Sequence, residues 1–188
     1  MKRLAVLAVV TTALVSCSGT DAAAPVDDPP DPTAEVVPGA DDDVPTLMAV
    51  ALGQLVIEDN TFGGGPPPFT EYLIQSHLAA DAGSPTAQGE EGRPLTTAER
   101  EAIEGVIRPL GPVRWIEDPA DFRTDDLRPT IEGAVILGVG EPTVDGASAL
   151  VPVSLWCGGL CGTWFTYRLD VVADGWQVSG TDGPIAIA

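Results

Sequence analysis

Apolar residues recur at helical spacing in two separate stretches of the chain. The first covers residues 46–58, and one face of that helix carries Leu47, Val50, Ala51 and Leu55. The second covers residues 97–108, and its stripe consists of Ile103, Val106, Ile107 and Leu110. Thr96 and Glu99 stand three positions apart, as a capping box requires at a helix start. The pattern therefore predicts two helices.

From residue 131 onward the spacing changes to the alternation that is typical of strands. Turn-forming residues divide this part into four segments, at about 131–139, 147–157, 161–172 and 176–180. Asp174 and Gly175 form a hairpin signal between the last two segments. Earlier strands are predicted within 69–78 and 113–118. We therefore expect an α+β fold in which a curved antiparallel β-meander (about 131–180) is packed by one or two helices (about 46–58 and 97–108).

The charge of the chain restricts its partners. Its 188 residues include 28 acidic and nine basic ones, which gives a formal net charge of −19. Such a surface repels phosphate backbones, so nucleic-acid binding is excluded. The glycine-rich stretch FGGGPPPF has no lysine and Ser/Thr after it, so it is not a phosphate loop. No cofactor and no metal are predicted.

The N-terminus has the plan of a secretory signal. Lys2 and Arg3 precede an apolar run over residues 4–15. A run of twelve residues is too short to cross a bilayer, which takes about 20 helical residues. Residues 1–16 are therefore predicted to be a signal peptide.

The last signal residues and Cys17 read LVSC, which resembles the lipobox of bacterial lipoproteins. The resemblance implies that Cys17 receives a diacylglyceryl group, that the chain is cut before it, and that its amino group is acylated in many bacteria, commonly with palmitate. Two or more acyl chains anchor a protein stably. We expect an exported protein held by lipid on the outer face of the cell membrane.

Between the anchor and the domain lies an acidic segment rich in Pro and Ala. Residues 18–45 contain eight acidic residues and no basic one, with little apolar bulk. Such a composition cannot form a packed core, so residues 17–45 are predicted to be the lipidated cysteine and a disordered tether. As a flexible coil, 28 residues average roughly 30 Å end to end. The folded part is expected to be one domain, residues 46–188.

The stretch SLWCGGLCGTW contains the two remaining cysteines. If Cys157 faces Cys161 across a three-residue loop, Val153 pairs with Phe165 and Val151 pairs with Tyr167, which makes one face apolar. The Asp174-Gly175 hairpin is predicted to pair Val171 with Val178 and Ala173 with Trp176, which places Trp176 on that same face. The compartment of an exported protein allows cysteine thiols to be oxidised, so a disulfide between Cys157 and Cys161 is favoured. A redox pair usually has two intervening residues. Zinc takes three or four ligands, so two thiols and one histidine would need a carboxylate or a second chain to complete a site.

Trp156 and Trp164 lie on the other face of this predicted hairpin. If nothing covers them, they form an aromatic platform for a sugar, a peptide or a lipid. The alternative is that they pack beneath the helix predicted at 97–108.

Catalytic patterns are weak. Ser76 and His77 are neighbours on a predicted strand, so they are expected to point to opposite faces and not to act as nucleophile and base. An acidic cluster can hold calcium, supply a carboxylate pair for glycoside cleavage, or form a solvated surface: Glu117, Asp118, Asp121, Asp125 and Asp126.

Residues 149–178 resemble the closing hairpins of uncharacterised exported bacterial domains that contain the sequence CGGLCG. They are also similar to cystatin-like and nuclear-transport-factor-like domains, which implies a curved sheet around a helix but no particular activity. We expect a non-enzymatic binding or accessory module whose partner is an envelope protein, a peptide or a glycan. The alternative is a cell-envelope hydrolase that uses carboxylates near 117–126.

Overall fold

The computed structural model describes residues 43–63, 68–87 and 92–188. The predicted signal peptide, the lipidation site Cys17 and almost all of the predicted tether lie outside the described residues. Within the described part no helix is long and apolar enough to cross a membrane. The helices are α1 (Val44–Ile57) and α2 (Thr97–Ile107), and short 3-10 turns follow at Arg108–Leu110 and Pro119–Phe122.

Within the described residues, eight strands form one mixed sheet against the helices. They are β1 (Glu71–Gln75), β2 (Val113–Ile116), β3 (Ala134–Val139), β4 (Thr143–Asp145), β5 (Ser148–Gly158), β6 (Cys161–Val172), β7 (Gly175–Thr181) and β8 (Ala186–Ile187). The order across the sheet is β2-β1-β3-β5-β6-β7, while β4 also pairs with β5 and β8 with β6. The predicted α+β class is confirmed.

Both predicted helices form close to their predicted bounds. Thr96 Oγ1 accepts a hydrogen bond from the backbone N–H of Glu99, and the Glu99 carboxylate accepts one from the N–H of Thr96, so the predicted capping box is present. The helices pack closely because α1 has a glycine at the contact. A Cβ built on Gly53 would lie 2.8 Å from Val106 Cγ1 of α2.

The first half of the sheet differs from a simple meander. Strand β1 lies between β2 and β3 and runs parallel to both of them. Residues 72–75 of β1 and all of β3 are buried, as is usual for parallel strands covered on two faces. The antiparallel part begins where β3 pairs with β5.

The predicted register of β5 and β6 is confirmed over most of its length, with Val153 opposite Phe165 and Val151 opposite Tyr167. The predicted three-residue loop is wrong, because the register shifts between Trp156 and Gly158. Gly158 pairs with Cys161 and has a φ of 152°, which favours glycine. Cys157 is therefore the extra residue of a bulge, and the turn contains two residues.

The β6–β7 register differs from the prediction by two residues. Val171 pairs with Trp176 rather than with Val178, because the turn is made by Ala173 and Asp174 and is followed by Gly175, whose φ is 109°. An even shift leaves side chains on the same face. Trp176 is consequently buried in the main core, as predicted.

The two faces of the sheet have different covers. The main core joins α1 and α2 to one face, where Val151, Val153 and Leu155 are fully buried. A smaller cluster on the other face contains Leu73, Ile116, Ala134 and Ile136. Phe122 and Ile131 of the β2–β3 connection pack on that second face, so its cover is not the helix predicted at 97–108.

Candidate binding site at the disulfide end of the sheet

The β5–β6 hairpin is closed by its two cysteines. Cys157 and Cys161 form a disulfide with a Cα–Cα distance of 5.1 Å, in agreement with the predicted pair. Gly159 and Leu160 form the turn beyond it. The tip of the hairpin is thus a covalently closed loop that can hold neighbouring side chains in place.

Two other segments of the chain converge on this disulfide. The Thr61 hydroxyl, just after α1, donates a hydrogen bond to Cys161 Sγ over 3.5 Å. In the β2–β3 connection, Leu127 lies against the hairpin turn, since a Cβ built on Gly159 would be 3.5 Å from Leu127 Cβ. Leu127 has a φ of 58°, a left-handed conformation that leucine seldom adopts. Strained residues of this kind persist where the surroundings fix them, often at functional sites.

A groove of about 590 Å³ opens beside the disulfide, and we call it the disulfide groove. Its apolar lining is contributed by Phe62, Pro68, Phe69, Ile131 and both cysteines, while Arg128, Thr130 and Glu132 provide polar groups. The rings of Phe62 and Phe69 meet edge to face with centroids 5.6 Å apart. An apolar concavity with a few polar groups is the usual composition of a ligand site.

Three large apolar side chains are exposed around this end of the molecule. Leu160 is 92% exposed, Phe62 58% and Leu127 57%. They come from three segments that meet beside the disulfide, so they form a local apolar surface rather than scattered residues. Clustered exposure of this kind is typical of interaction surfaces.

The structure places the two predicted platform residues differently from each other. Trp164 is buried, whereas Trp156 is half-buried and packs at the edge of the second-face cluster. The guanidinium carbon of Arg123 lies 4.7 Å from the centroid of the Trp156 ring. The β2–β3 connection, not the helix at 97–107, therefore lies over Trp156. A binding role for either tryptophan stays a prediction.

The side chain of His77 contacts Ser76, although the two were expected to point to opposite faces. Its Nδ1 is 3.2 Å from Ser76 Oγ and 3.4 Å from Glu117 Oε2. The expectation of opposite faces was wrong, because β1 ends at Gln75 and strand alternation does not continue beyond it. Ser76 is fully buried, and serine and glutamate approach the same ring nitrogen. A nucleophile–base–acid triad needs them on opposite nitrogens.

Two residues of the acidic cluster in the β2–β3 connection make local hydrogen bonds that stabilise this connection. Asp118 Oδ1 accepts from the N–H of Ala120 and starts the 3-10 turn. Asp126 accepts from Thr124 Oγ1 and pairs with Arg128, and the hydroxyl bond lowers the pKa of Asp126. Over residues 43–63, 68–87 and 92–188, no three histidine, cysteine or acidic side chains are placed to hold a metal ion.

Sequence reasoning missed Phe62, Leu127 and Arg123 as site residues. Each lies in a segment that reads as a connector, and the groove forms only when segments about 25 to 100 positions apart meet. A large apolar residue among glycines, prolines and acids was the available signal.

Comparison of the chain with protein-family models, curated proteins and solved structures gives no match.

Proposed function

We propose that this chain is an exported bacterial lipoprotein, anchored through lipid at Cys17, that works as a non-enzymatic binding or accessory module. The disulfide groove is its ligand site in this proposal. The single observation that carries it is the 590 Å³ apolar groove whose surroundings expose Phe62, Leu127 and Leu160. The ligand is an envelope protein, a peptide or a glycan with an apolar group that fits the groove.

The groove is held in shape before any ligand arrives. The disulfide fixes the hairpin tip, and the Thr61 hydroxyl donates a hydrogen bond to Cys161 Sγ. Leu127 is kept in a left-handed conformation against Gly159. A site that is already ordered loses little conformational entropy on binding. This supports binding as the task of this end of the molecule.

The predicted tether joins the domain at the start of α1. Helix α1 begins at Val44 and has 14 residues, which corresponds to a length of about 21 Å. Its other end leads through Asp59 and Asn60 to Thr61 at the groove. A lipid anchor joined before Val44 therefore enters the domain at the end of α1 that is remote from the groove.

Site-specific photo-crosslinking in intact cells tests the ligand site. A benzoylphenylalanine at position 160 is predicted to give one recurrent adduct, and the same probe at exposed position 172, on the far part of β6, is the control. Phe62→Ala is expected to weaken the adduct at position 160. Equal labelling from positions 160 and 172, or none from 160, would count against the groove. Cys17→Ala tests the anchor separately, because it should release the protein from the membrane.

A cell-envelope hydrolase that uses carboxylates near 117–126 is the second candidate. The observation that favours it is the contact of Glu117 with His77, since an acid–histidine pair can activate water. Release of nitrophenol from ester and glycoside substrates is the measurement. Glu117→Gln should abolish turnover while Asp125→Asn, at an exposed position of the same connection, retains it. Full turnover by Glu117→Gln would eliminate this candidate.

A further inference from the structure

The guanidinium of Arg123 lies over the indole of Trp156 and has no acceptor within the part of the chain that the structure describes. Its carbon is 4.7 Å from the Trp156 ring centroid, and its Nε is buried without a hydrogen-bond partner among the described residues. Arginine is not deprotonated in proteins, so this buried N–H carries part of a full positive charge. Leaving such a donor unsatisfied costs free energy.

The other arginines that the structure describes each have at least one acceptor. Arg100 also lies over an indole, that of Trp115, and its Nε has no partner among the described residues, but its Nη2 donates to the carbonyl of Ser76. The remaining five pair with carboxylates: Arg93, Arg108, Arg114, Arg128 and Arg168. Arg123 has three acidic residues within three positions, yet its described contacts include no ion pair with any of them. In so acidic a chain, an unpaired guanidinium needs an explanation.

A second donor without an acceptor lies on the same face of the sheet. Trp164 is 8% exposed, and its Nε1 has no hydrogen-bond partner among the described residues. Ser154 pairs with Trp164 and Trp156 pairs with Gly162, so the two tryptophans are diagonal neighbours across β5 and β6. Trp164 thus adds a second buried N–H donor without a described acceptor to the face of the sheet that carries Trp156.

We propose that Arg123, Trp156 and Trp164 form a binding site for a carboxylate group of an external ligand. The Trp156 ring holds the plane of the guanidinium, whose N–H edge can bind two carboxylate oxygens in parallel. A carboxylate carries one charge, so the acidic protein repels it less than a phosphate dianion. The inference goes beyond the disulfide groove, because it holds whether or not that groove has a ligand.

Indole N–H resonances of the full-length protein in detergent micelles, labelled with ¹⁵N-tryptophan, test the site. Sodium acetate is the probe, with sodium chloride at equal ionic strength as the reference. The proposal predicts saturable shifts of the Trp156 and Trp164 signals, assigned with Trp156→Phe and Trp164→Phe. Trp115, whose N–H already donates to Glu104, should not respond.

Arg123→Gln should remove the saturable response, and Arg123→Lys, which keeps the charge but not the fork, should weaken it about tenfold. Arg168→Gln is the matched control, because Arg168 lies on β6 like Trp164, is exposed and pairs with Asp182. It should bind acetate like the wild type. Equal responses to acetate and chloride, or an unchanged response in Arg123→Gln, would overturn the proposal. Tighter binding of inorganic phosphate than of acetate would overturn its choice of a carboxylate.

Discussion

The hydroxyl of Tyr167 donates a hydrogen bond to Asp59 Oδ2 over 2.8 Å and so joins the middle of β6 to the end of α1. Gln54 Nε2 donates to the same oxygen over 3.0 Å. Burial raises the pKa of Tyr167, and the bond to Asp59 raises it further, so the phenol stays protonated and remains a donor. This contact sets the direction in which the chain leaves α1 toward Thr61 and the disulfide groove.

Tyr167→Phe is predicted to destabilise the fold by about 1.5–3 kcal/mol, since a buried bond to a charged group is lost. Tyr72→Phe is the matched control. Tyr72 is fully buried and its hydroxyl has no hydrogen-bond partner within the described part of the chain, so its removal should cost little or even stabilise. Urea unfolding of both variants is the measurement. Equal losses of stability would contradict the role given to the Asp59 contact.

Glu99 should make stability depend on pH. Burial alone would raise its pKa, but the bonds from Arg93 and Thr96 outweigh burial and lower the pKa. A carboxyl whose folded pKa is depressed stabilises the fold above its unfolded pKa, about 4.3, and this contribution is lost as the pH falls through the folded pKa. We therefore expect Glu99→Gln to be less stable than the wild type at neutral pH, with a difference that shrinks in acid.

Unfolding free energies measured across that pH range check the expectation. Glu101→Gln serves as the control, because Glu101 is exposed on the same helix. Its difference from the wild type should be small at every pH. A Glu99→Gln deficit that grows in acid would reverse the assigned sign.

Two helical glycines should respond oppositely to alanine. A methyl group at Gly53 meets Val106 Cγ1 at 2.8 Å, so Gly53→Ala should separate α1 from α2 and cost about 1–3 kcal/mol. At Gly105 of α2 a Cβ meets nothing within 4 Å, so Gly105→Ala should stabilise by about 0.5–1 kcal/mol. Thermal unfolding distinguishes them. Val106→Ala should restore part of the loss in Gly53→Ala, and no restoration would mean that the close approach is not its cause.

Removal of the disulfide should loosen the hairpin tip without unfolding the domain. A loop of five residues contributes on the order of 2 kcal/mol through the unfolded chain, whereas the core between α1 and the sheet does not depend on it. A Cys157→Ser, Cys161→Ser variant should therefore show a lower guanidinium midpoint and faster amide exchange at residues 158–162. Unchanged amide exchange at these residues would show that the disulfide does not order the groove.

Local signals made part of the fold predictable. The Thr96–Glu99 box lies within four residues, and the β5–β6 register follows from two apolar patterns joined by a short turn. The parallel pairing of β1 with β2 and β3 joins residues about 40 to 60 positions apart. The sequence of a strand does not show which distant strand it pairs with. The turn before Trp176 was misplaced because Gly175 supplies its positive φ after the turn, not inside it.

The candidate site was less predictable than the fold. Cys157 and Cys161 could be paired because they are close in sequence and share a hairpin. The groove needs Thr61 and Leu127 beside that hairpin. That Arg123 Nε has no acceptor among the described residues is seen only when its neighbours in space are known. Sequence periodicity describes one element at a time, so it does not show which connectors meet.

Intact mass spectrometry of the protein extracted from the membranes of expressing bacteria, with thiols blocked before lysis, tests the central claim most directly. The account predicts a chain that begins at Cys17, carries diacylglyceryl and acyl mass, and gains two blocked thiols only after reduction. A cytosolic chain that retains residues 1–16 and has Cys157 and Cys161 already blocked would contradict it.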